Sequence, residues 1–233
     1  MCELSSELLR AVPGAELTLD VVARPITYQT QSEYDYTSLS LCVDHFVVMA
    51  YDMLTPDMAR LNITAANSPV DLVKSGVEEY AKLGISAEKL VLALPFFGNT
   101  FTCANVSAPA GSDGRTGCTP DPAFIVDPDA FGLEVGFNAI TTELLPLSHT
   151  GVQWSSSAAS PWFDYVNATD GKRRRIWYDN ATSLAIKVQL ACGLKLGGVG
   201  AWIADALPVR DPSLSQSMWT ALRRPTPCVA PEG

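Results

Sequence analysis

The stretch His45-Phe46-Val47-Val48-Met49-Ala50-Tyr51-Asp52 decides how the rest of the chain is read. Phe46 to Ala50 form an apolar run, too short for a helix and rich enough in Val and Phe for a strand buried on both faces. Such strands belong to parallel sheets, whose two faces are both covered. This one ends in a phenol and a carboxylate, so it brings two polar groups to one end of the sheet.

The flanking segments alternate strands with helices. Ser5–Ala11 reads as the end of a helix closed by Pro13-Gly14, and Glu16–Ala23 as a strand stopped by Pro25. Tyr34–Cys42 is a short helix or turn leading into the opening strand. Ser68-Pro69-Val70-Asp71 starts a helix, with Ser68 as cap and Pro69 in the first helical position. Val70, Val73, Val77 and Tyr80 form its apolar stripe, and Gly84 ends it. Lys89–Phe97 is a third strand. From Asn99 to about Ser160 the pattern is irregular and rich in Gly, Ser, Pro and Ala, as expected of an inserted subdomain. Trp162–Val166 and Arg175–Asp179 read as a hairpin with Asp170-Gly171 at its tip. A helix from Asn180 to about Leu194, a strand at Gly197–Ala204, a helix at Ser213–Arg223 and a loose tail at Pro225–Gly233 complete the chain. The expected class is therefore α/β, a parallel sheet with right-handed crossovers.

With 233 residues, 47% hydrophobic and 18% charged, the chain is long enough for a sizeable core. Its net charge of −9 argues against nucleic acid or an anionic membrane as partner, since both need a basic face. The one dense basic run, Lys172–Arg175, reads as a solvated turn. No stretch approaches the roughly 20 apolar residues of a membrane span.

Asn62, Asn105, Asn167 and Asn180 each begin an Asn-x-Ser/Thr sequence, which points to a lumenal, glycosylated protein. Six cysteines agree with that compartment, and Cys103 and Cys118 bracket a loop that a bridge could close. Yet Met1-Cys2-Glu3-Leu4-Ser5-Ser6-Glu7 carries two acids and no apolar core, so it is not a secretory signal. A chain that looks lumenal but has no leader is expected to lack its beginning. His45 and His149 have no partners at metal spacing, so neither a metal nor a cofactor is expected.

In parallel β/α folds the ligand lies beyond the carboxyl ends of the strands. Those ends here read Asp20 to Pro25, Tyr51-Asp52, Pro95-Phe96-Phe97-Gly98 and Trp202-Ile203-Ala204-Asp205. Aromatic rings interspersed with carboxylates suit sugars, which present flat C–H faces and hydroxyl edges. Met49-Ala50-Tyr51-Asp52 resembles the Met-x-Tyr-Asp motif on the sixth strand of the family 18 glycoside hydrolases, the chitinase family. Leu94-Pro95-Phe96-Phe97-Gly98 is similar to that family's seventh strand, and Gly197-Gly198-Val199-Gly200-Ala201-Trp202 to its eighth. Trp177-Tyr178-Asp179-Asn180 matches the entry to its seventh helix.

The resemblance implies strands five to eight of a (β/α)8 TIM barrel spanning residues 1–224, with an insertion subdomain at about 99–175 after the seventh strand. It also implies substrate-assisted hydrolysis of N-acetylglucosamine oligosaccharides, in which the substrate's acetamido oxygen attacks its own anomeric carbon. Tyr51 would donate to that oxygen, and Asp52 would bind sugar hydroxyls. Trp202 would lie under the sugar, with Phe97, Tyr178 and Asp179 as wall and polar rim. Phe96 and Phe97 lack the polar handles of a Trp-Tyr pair, a departure from the family. A larger departure is the acid motif, Asp-x-x-Asp-x-Asp-x-Glu, which occurs nowhere in this sequence. Its Glu is the proton donor, so the chain alone is expected to be inactive, and the full-length protein to be a lysosomal or secreted glycosidase. The competing expectations are a non-catalytic chito-oligosaccharide-binding protein and a fragment with no function of its own.

Overall fold

The computed structural model describes residues 1–26, 34–53, 63–105, 117–121, 133–223, 225 and 228. In chain order its principal elements are α1 (Cys2–Ala11), β1 (Thr18–Val22), α2 (Tyr36–Ser40), β2 (His45–Met49), α3 (Val70–Lys82), β3 (Leu90–Pro95) and β4 (Phe97–Asn105). There follow β5 (Thr119–Pro120), β6 (Leu133–Gly136), short helical turns over 137–147, β7 (Gln153–Ser155), β8 (Ser160–Val166) and β9 (Arg173–Trp177). The last elements are α4 (Ala181–Gly193), β10 (Gly198–Trp202) and α5 (Pro212–Ala221).

The strands form two sheets. Four parallel strands run in the order β1-β2-β3-β10, as the apolar runs predict, and the rest form an antiparallel sheet in the order β5-β4-β9-β8-β7, with β6 on β4. The register of the parallel sheet sorts its side chains. Leu19, Phe46 and Leu90 share one level, and Val21, Val48 and Leu92 the next on the same face. This face packs against Val73, Val77 and Tyr80 of α3 and Leu184 and Val188 of α4 to make the main core. On the opposite face Val47, Met49 and Val91 are only half-buried, although they belong to the two central strands.

Helix boundaries follow local chemistry, with one correction. Pro69, not Ser68, is the N-cap of α3; it is extended (φ −65°, ψ 130°) and makes no side-chain cap bond. Gly84 ends that helix at φ +79°, a conformation that costs glycine nothing, and the Ile85 N–H reaches back to the Tyr80 carbonyl at 3.1 Å. Asn180 caps α4 through a reciprocal pair with Ser183. Asp211 caps α5 by accepting from the Leu214 N–H at 3.0 Å, with Pro212 in the first turn.

The largest difference from the sequence reading lies beyond residue 97. The strand read as Lys89–Phe97 breaks at Phe96, and β4 starts at once in a second sheet. Much of the stretch expected to be irregular is thus ordered by pairing with β9 and β6. Gly98 permits the close approach there, because an added Cβ would run into the Trp177 carbonyl and Tyr178. Nor is the basic run a solvated turn. Arg175 is fully buried, bonds Asp164 with Nε at 2.6 Å and Nη2 at 2.9 Å, and lies 4.2 Å from the Trp162 ring centroid. Alternation along β9 explains it, since every second residue of the run must face the sheet's own packing.

Cys103 and Cys118 are bridged, with Cα atoms 5.0 Å apart. Two further bridges, Cys2–Cys42 and Cys192–Cys228, join residues 40 and 36 apart in sequence. The second of these corrects the expectation of a loose tail at Cys228, which is tied to the end of α4.

Candidate active site

Tyr51 and Asp52 follow β2 at the carboxyl end of the parallel sheet, where the chain takes an unusual turn. Asp52 has φ +51°, a left-handed conformation that aspartate tolerates better than most residues. Two buried amides hold it there. The Asp52 N–H donates to Asn67 Oδ1 at 2.7 Å, and the Met53 N–H donates to the Asn67 carbonyl at 3.1 Å. Asn99 of β4 then donates its Nδ2 to Asp52 Oδ1 at 3.1 Å and to Asn67 Oδ1 at 3.2 Å. An amide network that locks a carboxylate without neutralising it leaves that carboxylate able to bind hydroxyls.

The electrostatics agree. Desolvation pushes the Asp52 acid upward against the Asn99 bond, which favours the ionised form. Glu134 of β6 is also raised, by burial first and then by Asp52. It stands opposite Asn99 in the β4–β6 register. Burial, with the charges of Asp20, Asp52 and Glu134, pushes the Tyr51 phenol up to about 12, so this hydroxyl stays protonated as a hydrogen-bond donor near neutrality. Its ring edge packs on Phe97, with centroids 5.6 Å apart. Among the described residues no group accepts from the Tyr51 hydroxyl.

Not every predicted residue joins this group. Trp202 ends β10 at the sheet's carboxyl end with 48% of its surface exposed. Phe97 is buried and backs Tyr51 instead of offering a face to a ligand. Tyr178 and Asp179, expected as aromatic wall and polar rim, are both buried. Tyr178 packs against Phe137 and Phe163, and Asp179 forms a buried ion pair with Lys187 of α4. Of the glycosylation candidates, Asn167 accepts the Thr169 N–H at 2.8 Å and Asn180 the Ser183 N–H at 3.0 Å. Asn105 ends β4, and Asn62 lies outside the described residues.

Sequence reasoning missed Asn67, Asn99 and Glu134. The signal for Asn99 was its place two residues past Phe97 on the strand that leaves the sheet's carboxyl end. Asn67 and Glu134 carried none. Among the described residues no cluster of three or more His, Cys, Asp or Glu is arranged to hold a metal.

A four-stranded parallel β/α sheet, with an aromatic and a carboxylate held by buried amides at its carboxyl end, defines an α/β protein with a candidate site beyond its strands. The chain belongs to the glycosyl hydrolases family 18, whose model matches residues 2–206. It is 36% identical to a probable di-N-acetylchitobiase 1 of Dictyostelium discoideum, over 81% of this chain and 51% of that protein. It is 31% identical to the di-N-acetylchitobiase of Mus musculus, over 95% of this chain and 60% of that protein. The chain thus spans between half and three fifths of these relatives' length. A mutant class V chitinase of Nicotiana tobaccum, in complex with NAG4, shares the fold at TM-score 0.69 and 19% identity, over 95% of this chain and 61% of that one.

Proposed function

We propose that this chain is the sugar-holding half, strands five to eight, of a (β/α)8 glycosidase acting on N-acetylglucosamine oligosaccharides by the substrate-assisted retaining route. The observation that carries the reading is the lock on Asp52: two buried asparagines fix a left-handed turn that sets Tyr51 and Asp52 together at the sheet's carboxyl end. Tyr51 donates to the substrate's acetamido oxygen, orienting it for attack and stabilising the oxazolinium charge. Asp52 accepts from sugar hydroxyls, and Trp202 lies under the ring. The antiparallel sheet is the insertion after the seventh strand. The names of the relatives and the NAG4 held by the tobacco protein support this substrate class.

No proton donor at the family's position exists in this sequence, so the chain by itself binds without cleaving. That absence also favours the second reading, a chito-oligosaccharide-binding protein. Titration calorimetry with chito-oligosaccharides and a fluorogenic N-acetylglucosaminide assay test both readings. Binding without turnover is expected. A folded chain with no binding sinks the sugar reading, and turnover that disappears in Tyr51→Phe sinks the claim of inactivity. Three disulfides and four sequons support a lysosomal or secreted protein carrying glycans at Asn62, Asn105, Asn167 or Asn180. A mass loss on enzymatic deglycosylation of protein from a eukaryotic host checks that point.

A further inference from the structure

The antiparallel sheet brings a second carboxylate to the site. Glu134 of β6 stands directly opposite Asn99 of β4. Residues so placed in an antiparallel pair point to the same face, with Cβ atoms roughly 4.5–5.5 Å apart. Glu134 therefore rises beside the amide whose Nδ2 lies 3.1 Å from Asp52 Oδ1. It is solvent-accessible, and among the described residues neither it nor Asp52 forms an ion pair. Two carboxylates thus flank one neutral amide, with the Tyr51 hydroxyl next to them in sequence and in space. The acid of Glu134 responds to Asp52, and the Tyr51 phenol to Asp20, Asp52 and Glu134 together, so this end of the sheet carries a negative field.

A sugar hydroxyl satisfies the lone pairs of such a carboxylate but leaves the repulsion between the two in place. A cation removes it, and a charged hydrogen bond is worth more than a neutral one. Sugars of the class proposed for this site acquire a cation by a single change, hydrolysis of an acetamide to a free amine that is protonated below neutrality. We infer that Glu134 is a specificity-determining residue of the sugar site, selecting oligosaccharides in which the ring beside the one held by Tyr51 has lost its acetyl group and carries an ammonium. The inference rests on the proposed sugar site. The ring at Tyr51 keeps its acetamide, because that is the group the hydroxyl takes. Asp52 keeps its part in accepting from hydroxyls, and its charge adds to the attraction. The preferred ligand is therefore mixed, acetylated on one ring and cationic on the next.

Titration calorimetry of the purified chain at about pH 6, where the amine is protonated, tests this with three disaccharides. They are the N-acetylglucosamine dimer and its two singly deacetylated forms, with the amine on one ring or the other. One isomer is expected to bind roughly three- to tenfold tighter than the acetylated dimer. The other gives up the acetamide that Tyr51 takes and should bind more weakly. The advantage shrinks as added salt screens the charges, and it disappears in Glu134→Gln, with affinity for the acetylated dimer unchanged within about twofold. Should Glu134→Gln fail to fold, Glu134→Thr, a good strand former, takes its place. Glu143→Gln removes the same charge from an exposed position on the helical turns that follow β6 and is expected to keep the advantage. Equal affinity for acetylated and amine-bearing sugars overturns the inference and leaves the sugar reading standing. So does an advantage shared by both isomers, one that survives the loss of Glu134, or one that falls equally in Glu143→Gln. A folded chain that binds none of the three disaccharides removes both.

Discussion

Two carboxylates in this molecule are held in opposite ways. Asp164, on β8 of the antiparallel sheet, is fully buried between the guanidiniums of Arg175 and Arg173. Burial alone would raise its acid, but the two arginines outweigh that and hold it below the usual carboxylate range. Asp52, at the end of the parallel sheet, is held by neutral amides only, and desolvation leaves its acid raised. The first serves structure, because its lone pairs and charge are used within the sheet. Asp52 is positioned at an exposed site with no cationic partner among the described residues, and under the proposed function its free lone pairs are the ones that take sugar hydroxyls.

Breaking the structural pair gives the largest expected effect. Asp164→Ala removes the carboxylate that neutralises the buried Arg175 guanidinium, a loss of about 3–5 kcal/mol in urea unfolding. Lys187→Met strands Asp179 in a similar way, and Asp179 Oδ2 already lacks a hydrogen bond. A loss of about 3 kcal/mol is expected, largely recovered in the Asp179→Leu/Lys187→Met double variant, because an ion pair replaced as a unit leaves no orphan charge. Tyr165→Phe is milder. It removes the 3.0 Å hydroxyl contact with buried Thr100 and is expected to cost about 1–3 kcal/mol.

The two carboxylates also predict opposite pH behaviour. A carboxyl lowered by folding contributes stability above its unfolded value near 3.9 and loses it as pH falls through the folded value. Asp164 therefore makes the chain acid-labile, and Asp164→Ala flattens the acid limb of the stability profile. Asp52 works the other way, since its raised acid makes ionisation a cost to the fold. Asp52→Asn is expected to be slightly more stable than wild type at neutral pH, with the advantage gone below about pH 3.9. Equal or lower stability at neutral pH would show that Asp52 is structural after all.

Much of this contrast was legible in the sequence, and the reasons for the misses are physical. The apolar run ending in Tyr51-Asp52 announces a buried strand and the polar end that follows it, because burial and polarity change over two residues. The asparagines that lock Asp52 come from 15 and 47 residues away and belong to no periodic pattern. Its place in a motif beside aromatics assigns Asp179 to the rim. What takes it inside is Lys187 on α4, a residue that alone looks like a solvent-facing lysine. The arginine run misled for the same reason: a charge is read as solvated until its partner across a hairpin is known. Long-range pairing decides between a structural charge and a functional one, and one-dimensional spacing does not carry it.

The finest test of the comparison is therefore a hydroxyl and not a charge. Tyr165 has its hydroxyl bonded within the fold, whereas the Tyr51 hydroxyl has no acceptor among the described residues. Tyr51→Phe keeps the ring edge on Phe97 and removes only the oxygen, so urea unfolding should move by no more than about 0.5 kcal/mol. If the hydroxyl is reserved for a sugar's acetamido oxygen, the loss appears in binding instead. One neutral hydrogen bond is worth about 0.5–1.5 kcal/mol, roughly a two- to tenfold weaker affinity for chito-oligosaccharides by calorimetry. A stability loss as large as that of Tyr165→Phe, with binding unchanged, would place Tyr51 among the structural groups and leave Asp52 and Trp202 to hold the sugar without it.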